Sequence, residues 1–211
     1  MADDGRQVIL GAGPLGVALQ AQLQAAGVET DLLSITGQLA YDMPGTAPDT
    51  VDGADAAALA RACADASVIY LLLNAHYVDW YRLFPARLVA AIGAASAVGA
   101  RLVYHDSIYL YGEADGPLRE DLPAAATTAK GRLRAEMAAT FMTAVEEGRI
   151  EGTIGRSADM YGPGALNSAY GSTFGQRPFY PLLAGKTVNV IGDPDGPHAY
   201  AYVVDVAKGL A

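Results

Sequence analysis

A chain of 211 residues, 52% hydrophobic and 18% charged, is long enough to bury a full core, and its net charge of −9 and pI near 4.6 offer no basic stripe for a nucleic acid or an anionic membrane. Cys63 is the only cysteine, which excludes an intrachain disulfide and Cys-based metal spacing and fits a reducing cytoplasm. The acidic start, Met1 to Arg6, does not resemble a signal peptide, and the apolar stretch Leu88 to Ala100 is shorter than the ~18 residues of a membrane span, so a cytoplasmic protein without metal, membrane or nucleic-acid partner is expected.

The first element is a buried strand, Val8-Ile9-Leu10, that breaks into Gly11-Ala12-Gly13-Pro14-Leu15-Gly16, with glycines at the spacing GxGxxG. Val17 to Leu23 reads as a helix, so the glycines occupy a strand-to-helix turn, where a dinucleotide pyrophosphate binds. In that role Gly11 permits the turn, Gly13 clears the approach to the phosphates and Gly16 lets helix and strand lie close, with Pro14 and Leu15 offering backbone at the helix N-terminus. The turn alone also admits a flavin or an S-adenosyl ligand.

Gly27 stops the helix, and Thr30 to Ser34 reads as the second strand. Ser34 stands where a carboxylate would bind the ribose hydroxyl of NAD and near where an arginine would accept the extra phosphate of NADP, so NAD and NADP both remain open. A short third strand is expected at Thr50-Val51-Asp52, then a helix from Asp55 to Ala64, with Asp55 placed beside the cofactor. Ser67 to Asn74 is the clearest buried strand; its carboxyl end should bring Leu73, Asn74 and Ala75 to the cofactor and His76 to the substrate.

Trp80 to Ala97 reads as a helix with a core stripe of Trp80, Leu83, Phe84 and Leu88, and Gly99 ends it. A strand from Arg101 to His105 runs into Asp106 to Gly112, a helix follows from Thr128 to Glu147, and Thr153 to Arg156 is a further strand. Alternation of strands and helices predicts an α/β protein, a doubly wound parallel sheet covered on both faces. His105 reads as a satisfied histidine rather than a metal ligand, and the tyrosines at 161, 170, 180, 200 and 202 as packing or a pocket wall.

With the glycine turn, Ser107 to Gly112, Arg156 to Pro163 and Tyr202-Val203-Val204-Asp205-Val206-Ala207 in this order, the chain resembles the extended short-chain dehydrogenase/reductase family, and within it the atypical, NAD-dependent epimerase/dehydratase-like branch. The resemblance implies a Rossmann-type fold, with residues 1–155 as the NAD(P)-binding domain and 156–211 as a partial substrate lobe interleaved with the last strands. Related proteins continue past the helix that begins near Val206, so the small lobe is apparently truncated.

The resemblance also implies a Ser, a Tyr and a Lys four residues on, which move a proton while nicotinamide moves a hydride. Ser107 falls at the Ser position, whereas counting back from Glu136 puts Thr128 at the Tyr position and Arg132 at the Lys position. Arg132 is then expected to anchor the cofactor ribose. Lys130, two residues earlier, is expected to face away. Tyr109 either donates the missing proton or packs against the substrate.

Where nucleotide-sugar enzymes of the family hold substrate phosphates with Asn and Arg, this chain has Asp159 and His198. Either these reject a diphosphate, or Asp159 pairs with Arg156 and His198 is an exposed loop residue. Asn167 joins His76, Asp159 and His198 as an expected substrate contact. The expected activity is NAD(P)-dependent hydride transfer on a small carbonyl or alcohol, or epimerisation through a ketone. The alternative is a silent dinucleotide-binding sensor or interaction protein. The resemblance also admits a homodimer through the helices at 80–97 and 128–147; Ala90, Ala91, Ala94 and Ala95 allow that close packing or pack equally well against the chain's own sheet.

Overall fold

Four residues, Gln7–Leu10, form β1 with no polar alternation, because the strand is covered on both faces: Val8 and Leu10 meet one helical layer and Ile9 the other. The computed structural model describes residues 5–114, 116–165, 176–188, 193 and 195–211. Strands β2 (Thr30–Ser34), β3 (Asp49–Thr50), β4 (Val68–Leu71), β5 (Arg101–Ser107) and β6 (Gly152–Ser157) join β1 in a six-stranded sheet of order β3-β2-β1-β4-β5-β6. Every pairing is parallel. This is the order of a doubly wound dinucleotide-binding sheet, and its strand order reverses between β1 and β4, where the carboxyl ends open a crevice.

Two helical layers close the sheet. On one face α2 (Ala56–Ala62), α3 (Trp80–Val98) and α4 (Ala129–Glu146) bury Leu59, Phe84, Leu88, Leu133 and Phe141 against Val8, Leu10, Ile69, Leu71 and Leu102. On the other, α1 (Pro14–Ala25) and α6 (Val203–Leu210) bury Leu15, Leu19, Leu23, Val203 and Ala207 against Ile9, Leu32, Val68 and Tyr70. The small elements β7 (Asp159–Tyr161) and β8 (Tyr200–Tyr202) pair in parallel beyond the sheet, and α5 (Gln176–Leu183) lies between them in sequence. Strand β6 runs through residue 155, and α6 returns to pack on α1, so the last part of the chain completes the helical layer on that face of the sheet.

Several boundaries differ from expectation. The third strand is the two exposed residues Asp49–Thr50, since a sheet edge with little apolar content pairs only briefly. The segment after β5 turns into a 3₁₀ helix, Ile108–Tyr111, that buries Leu110 and Tyr111. The alanines at 90, 91, 94 and 95 are at most 3% exposed, packed in the chain's own core, which removes them from any dimer surface.

Asp55 caps α2: its Oδ1 accepts from Ala57 N at 2.9 Å and Ala58 N at 3.0 Å. A seven-residue helix is too short to persist alone, so α2 rests on this cap and on the fully buried Leu59. The cap is worth about 1 kcal/mol, less than the ~2 kcal/mol of burying a leucine. Asp55→Ala is therefore expected to lower Tm by about 2–4 °C for a chain of this size without unfolding it, and to leave dinucleotide affinity unchanged; calorimetry and titration check both.

Candidate functional site

The switch point between β1 and β4 opens into a cleft of about 480 Å³ lined from the carboxyl ends of β1, β4, β5 and β6. At its floor the glycine turn is shaped by three different constraints. Gly11 has φ +129°, and a Cβ there would stand 2.9 Å from the Leu72 carbonyl carbon and oxygen. A Cβ on Gly16 would overlap the Gly11 carbonyl oxygen, so α1 rests directly on the turn. Gly13 caps α1 with extended backbone and has open space where its Cβ would be. Pro14 occupies the first turn, where its missing N–H costs nothing. The open side of Gly13 and the unpaired N–H groups of the α1 start face the cleft together, which is the arrangement an anion needs.

Of the expected site residues, Gly13, Pro14, Leu15, Gly16, Leu73, Asn74, Ala75, His76, Ser107, Tyr109 and Asp159 line this cleft. Gly11 lies beneath the turn, and Asn167 is outside the described residues. Ser34 does not line it: the side chain is buried and its Oγ accepts from Thr36 N at 3.2 Å. Asp55 is occupied as a helix cap rather than placed at the cofactor. His198 sits at the rim, where its Nε2 lies 3.1 Å from Asp159 Oδ2.

Arg132 is the clearest correction. It is exposed, and its guanidinium donates back to the Thr127 carbonyl oxygen. Thr128 caps α4 by accepting from Gly131 N at 3.1 Å, and with the helix started there, Leu133, Arg134, Met137 and Phe141 face the sheet. Arg134 lines the cleft, and Lys130, one helical turn earlier, reaches Tyr77 at its edge. Lys130 Nζ stands 3.6 Å from the centre of the Tyr77 ring, and the Arg134 guanidinium covers Trp80 at 4.7 Å and Phe84 at 4.1 Å. Tyr77, Trp80, Asp106 and Arg134 line the cleft without having been read as site residues. For Arg134 the helical spacing of the apolar Leu133, Met137 and Phe141 along α4 carried that signal; counting from Glu136 did not.

Ser107 ends β5 and is held there because Asp106 Oδ1 accepts its backbone N–H at 2.8 Å. Asp106 is fully buried beside Arg134 at 3.3 Å, with Arg156 at 3.9 Å and Tyr104 donating at 3.3 Å. Burial pushes its carboxyl above the usual range, and Arg134 opposes that shift. The Ser107 hydroxyl is buried at the cleft wall and meets no hydrogen-bond partner among the described residues. Buried hydroxyls without a partner are uncommon, so this one is poised for a ligand oxygen.

Tyr109 follows Ser107, lies 6.2 Å from the Trp80 ring in a stacked arrangement, and donates its hydroxyl to Asp159 Oδ1 at 3.2 Å. Burial first, then the Asp159 charge, pushes its phenol well above the ordinary value. An ammonium beside a phenol acts in the opposite direction, so Tyr109 does not reproduce a Tyr/Lys pair by itself. His105 Nε2 lies 2.9 Å from Ser157 Oγ, whose proton goes to Ala158 O, and burial lowers its pKa to about 4. Among the described residues no group of three His, Cys, Asp or Glu side chains is arranged to hold a metal.

The family model for the NAD-dependent epimerase/dehydratase family matches residues 8–211. The chain belongs to that family. No curated protein matches the chain. Similar solved structures include MoeE5 in complex with UDP-glucose and NAD, at 22% identity and TM-score 0.76 over 98% of this chain and 70% of that one. The Thermus thermophilus UDP-glucose 4-epimerase complex with NAD aligns at 20% identity and TM-score 0.75, over 96% of this chain and 72% of that one. The Methanobrevibacter ruminantium UDP-N-acetylglucosamine 4-epimerase aligns at 17% identity and TM-score 0.77, over 98% and 72%. At these identities the likeness establishes the shared Rossmann-type fold. No helix among the described residues is long and apolar enough to cross a membrane.

The His105 environment has a consequence for stability. Its folded pKa of about 4 lies below an unfolded value of about 6.5, so the unfolded chain binds the extra proton between them. The contribution of neutral His105 is complete above about pH 6.5 and is lost as pH falls toward about 4. Chemical denaturation of wild type and His105→Gln across that window, with Asp106 common to both, should show the wild-type stability falling faster with acid; parallel curves would contradict it.

Proposed function

We propose that the chain binds NAD or NADP across the carboxyl ends of β1 and β4 and transfers a hydride to or from a small carbonyl or alcohol substrate. The pyrophosphate would lie on Gly13, Pro14 and Leu15, and Leu73, Asn74 and Ala75 would flank the dinucleotide. The family of the chain and the NAD held by MoeE5 and by the Thermus epimerase support this cofactor. The observation that carries the reading is the buried, partnerless Ser107 hydroxyl in the same cleft as the open side of Gly13. Ser107 would hold the substrate oxygen, while Asp106 and Arg134 keep Ser107 in place. Bound dinucleotide supplies the hydride acceptor or donor.

For the substrate, MoeE5 holds UDP-glucose and the Methanobrevibacter protein is a UDP-N-acetylglucosamine 4-epimerase, whereas here the cleft presents Asp159, paired with His198. A carboxylate facing a diphosphate is repulsive, which supports a less anionic substrate. A second reading, a silent dinucleotide-binding sensor, is favoured by Thr128 acting as a cap and Arg132 facing solvent. A homodimer through α3 and α4 would use the exposed Tyr81, Val89 and Met142.

Calorimetric titration with NAD, NADH, NADP and NADPH is the direct test. Gly13→Val should still fold, since no atom lies within 4 Å of its Cβ position and the poorer helix cap costs only about 1 kcal/mol, yet lose dinucleotide binding. Gly16→Ala should fold poorly. Retained affinity in Gly13→Val would remove the binding mode. NADH oxidation with a panel of ketones, aldehydes and nucleotide-4-ketosugars, lost in Ser107→Ala, supports the enzyme; tight binding without turnover supports the sensor.

A further inference from the structure

Tyr109 poses a problem of charge. Its hydroxyl lies in the cleft beside Ser107, but burial and the Asp159 carboxylate both disfavour a phenolate there. A proton that arrives at Tyr109 Oη must therefore be matched by one that leaves. The hydroxyl already donates to Asp159 Oδ1 at 3.2 Å, and the other carboxylate oxygen, Oδ2, lies 3.1 Å from His198 Nε2. The Asp159 side chain retains 20% of its exposure and His198 retains 48%, so the pair connects the cleft wall to solvent.

We propose that Asp159 is the proton acceptor and donor of this site, working through the Tyr109 hydroxyl, and that His198 is the positioning residue that holds its second oxygen. The proposal rests on the hydride-transfer reading above. In alcohol oxidation the C–H bond breaks with its electron pair leaving as hydride to the dinucleotide, and the substrate O–H proton passes to Tyr109 Oη. In the same event the Tyr109 proton passes to Asp159 Oδ1, leaving a neutral phenol and a neutral carboxyl. Water at the rim then takes the carboxyl proton. Carbonyl reduction runs the same transfers backwards, with a protonated Asp159 as the source.

The surroundings fit this division. Among the described residues, the charges acting on the Tyr109 phenol come from Asp159 and Tyr77, and Lys130 stands over the Tyr77 ring. Around His198 they are Asp159 and Tyr200, whose ring centre lies 4.5 Å away. Asp159 starts β7 and pairs in register with Tyr200 of β8, so the short two-stranded sheet fixes the approach of the loop that carries His198. This gives that sheet a purpose in the site: it holds the acceptor at the phenol.

The test uses the full chain with a substrate from the carbonyl panel. Asp159→Ala should lower kcat about 100-fold with little change in KM, and formate, but not chloride, should restore a part of it. Tyr109→Phe should be similarly slow, and the double variant no slower than either single one, because the two act in series. His198→Gln, which keeps a donor toward Oδ2, should be faster than His198→Ala. Asp159→Asn, which keeps the shape but cannot take the proton, should be as slow as Asp159→Ala.

Full activity in Asp159→Ala, additive losses, or loss without formate rescue would overturn the relay. If Ser107→Ala is slow in those same assays, the hydride-transfer reading stands without it. Absence of turnover in wild type would remove both.

Discussion

The missing side chain at Gly16 is the constraint on which the rest of the molecule depends. A Cβ there would overlap the Gly11 carbonyl oxygen, so only glycine lets α1 begin directly on the turn after β1. The close seat points the N-terminus of α1 into the β1/β4 crevice and brings Leu15 and Leu19 onto the sheet, where α6 adds Val203 and Ala207. The same contact thus orients the N-terminal end of the helix and builds the core on that face of the sheet. Gly11 and Gly16 serve packing, and Gly13 alone leaves space.

A second constraint acts at the other end of the cleft. Asp106 and Arg134 are buried together beneath Ser107, with Tyr104 and Arg156 close by. Removing one partner would strand a charge, which typically costs about 3–5 kcal/mol, so the pair is costly to break even where it adds little net stability. Its structural effect is local: Asp106 accepts the Ser107 N–H and so fixes the end of β5 where the partnerless hydroxyl lies.

Family membership and local chemistry diverge in α4. Thr128 and Arg132, expected from spacing at the family's Tyr and Lys positions, serve otherwise: Thr128 caps the helix and Arg132 lies in solvent. Arg134 still brings positive charge to the cleft, and Lys130 stands over Tyr77 beside it, but both meet aromatic faces rather than a phenol hydroxyl. The hydroxyl beside Ser107 instead faces a carboxylate. The electrostatic environment of the Tyr109 hydroxyl is thus the inverse of that in a Tyr/Lys pair, while the glycine turn keeps its form.

The sequence by itself determined the α/β class, the doubly wound sheet and the glycine turn, because these rest on local signals: apolar runs of strand length, glycine spacing and helical periodicity. It also placed Ser107 and Tyr109 at the end of one strand, since neighbours in sequence stay neighbours there. Tertiary structure decided what pairing across elements decides. Asp55 and Ser34 carry side chains suited to a cofactor, yet backbone N–H groups within three residues claim them first. The face of α4 that meets the cleft was set by where Thr128 starts the helix and by burial of Leu133, Met137 and Phe141 against the sheet, a phase that spacing from Glu136 does not contain. The Asp159–His198 contact spans 39 residues, and only the pairing of β7 with β8 brings it about.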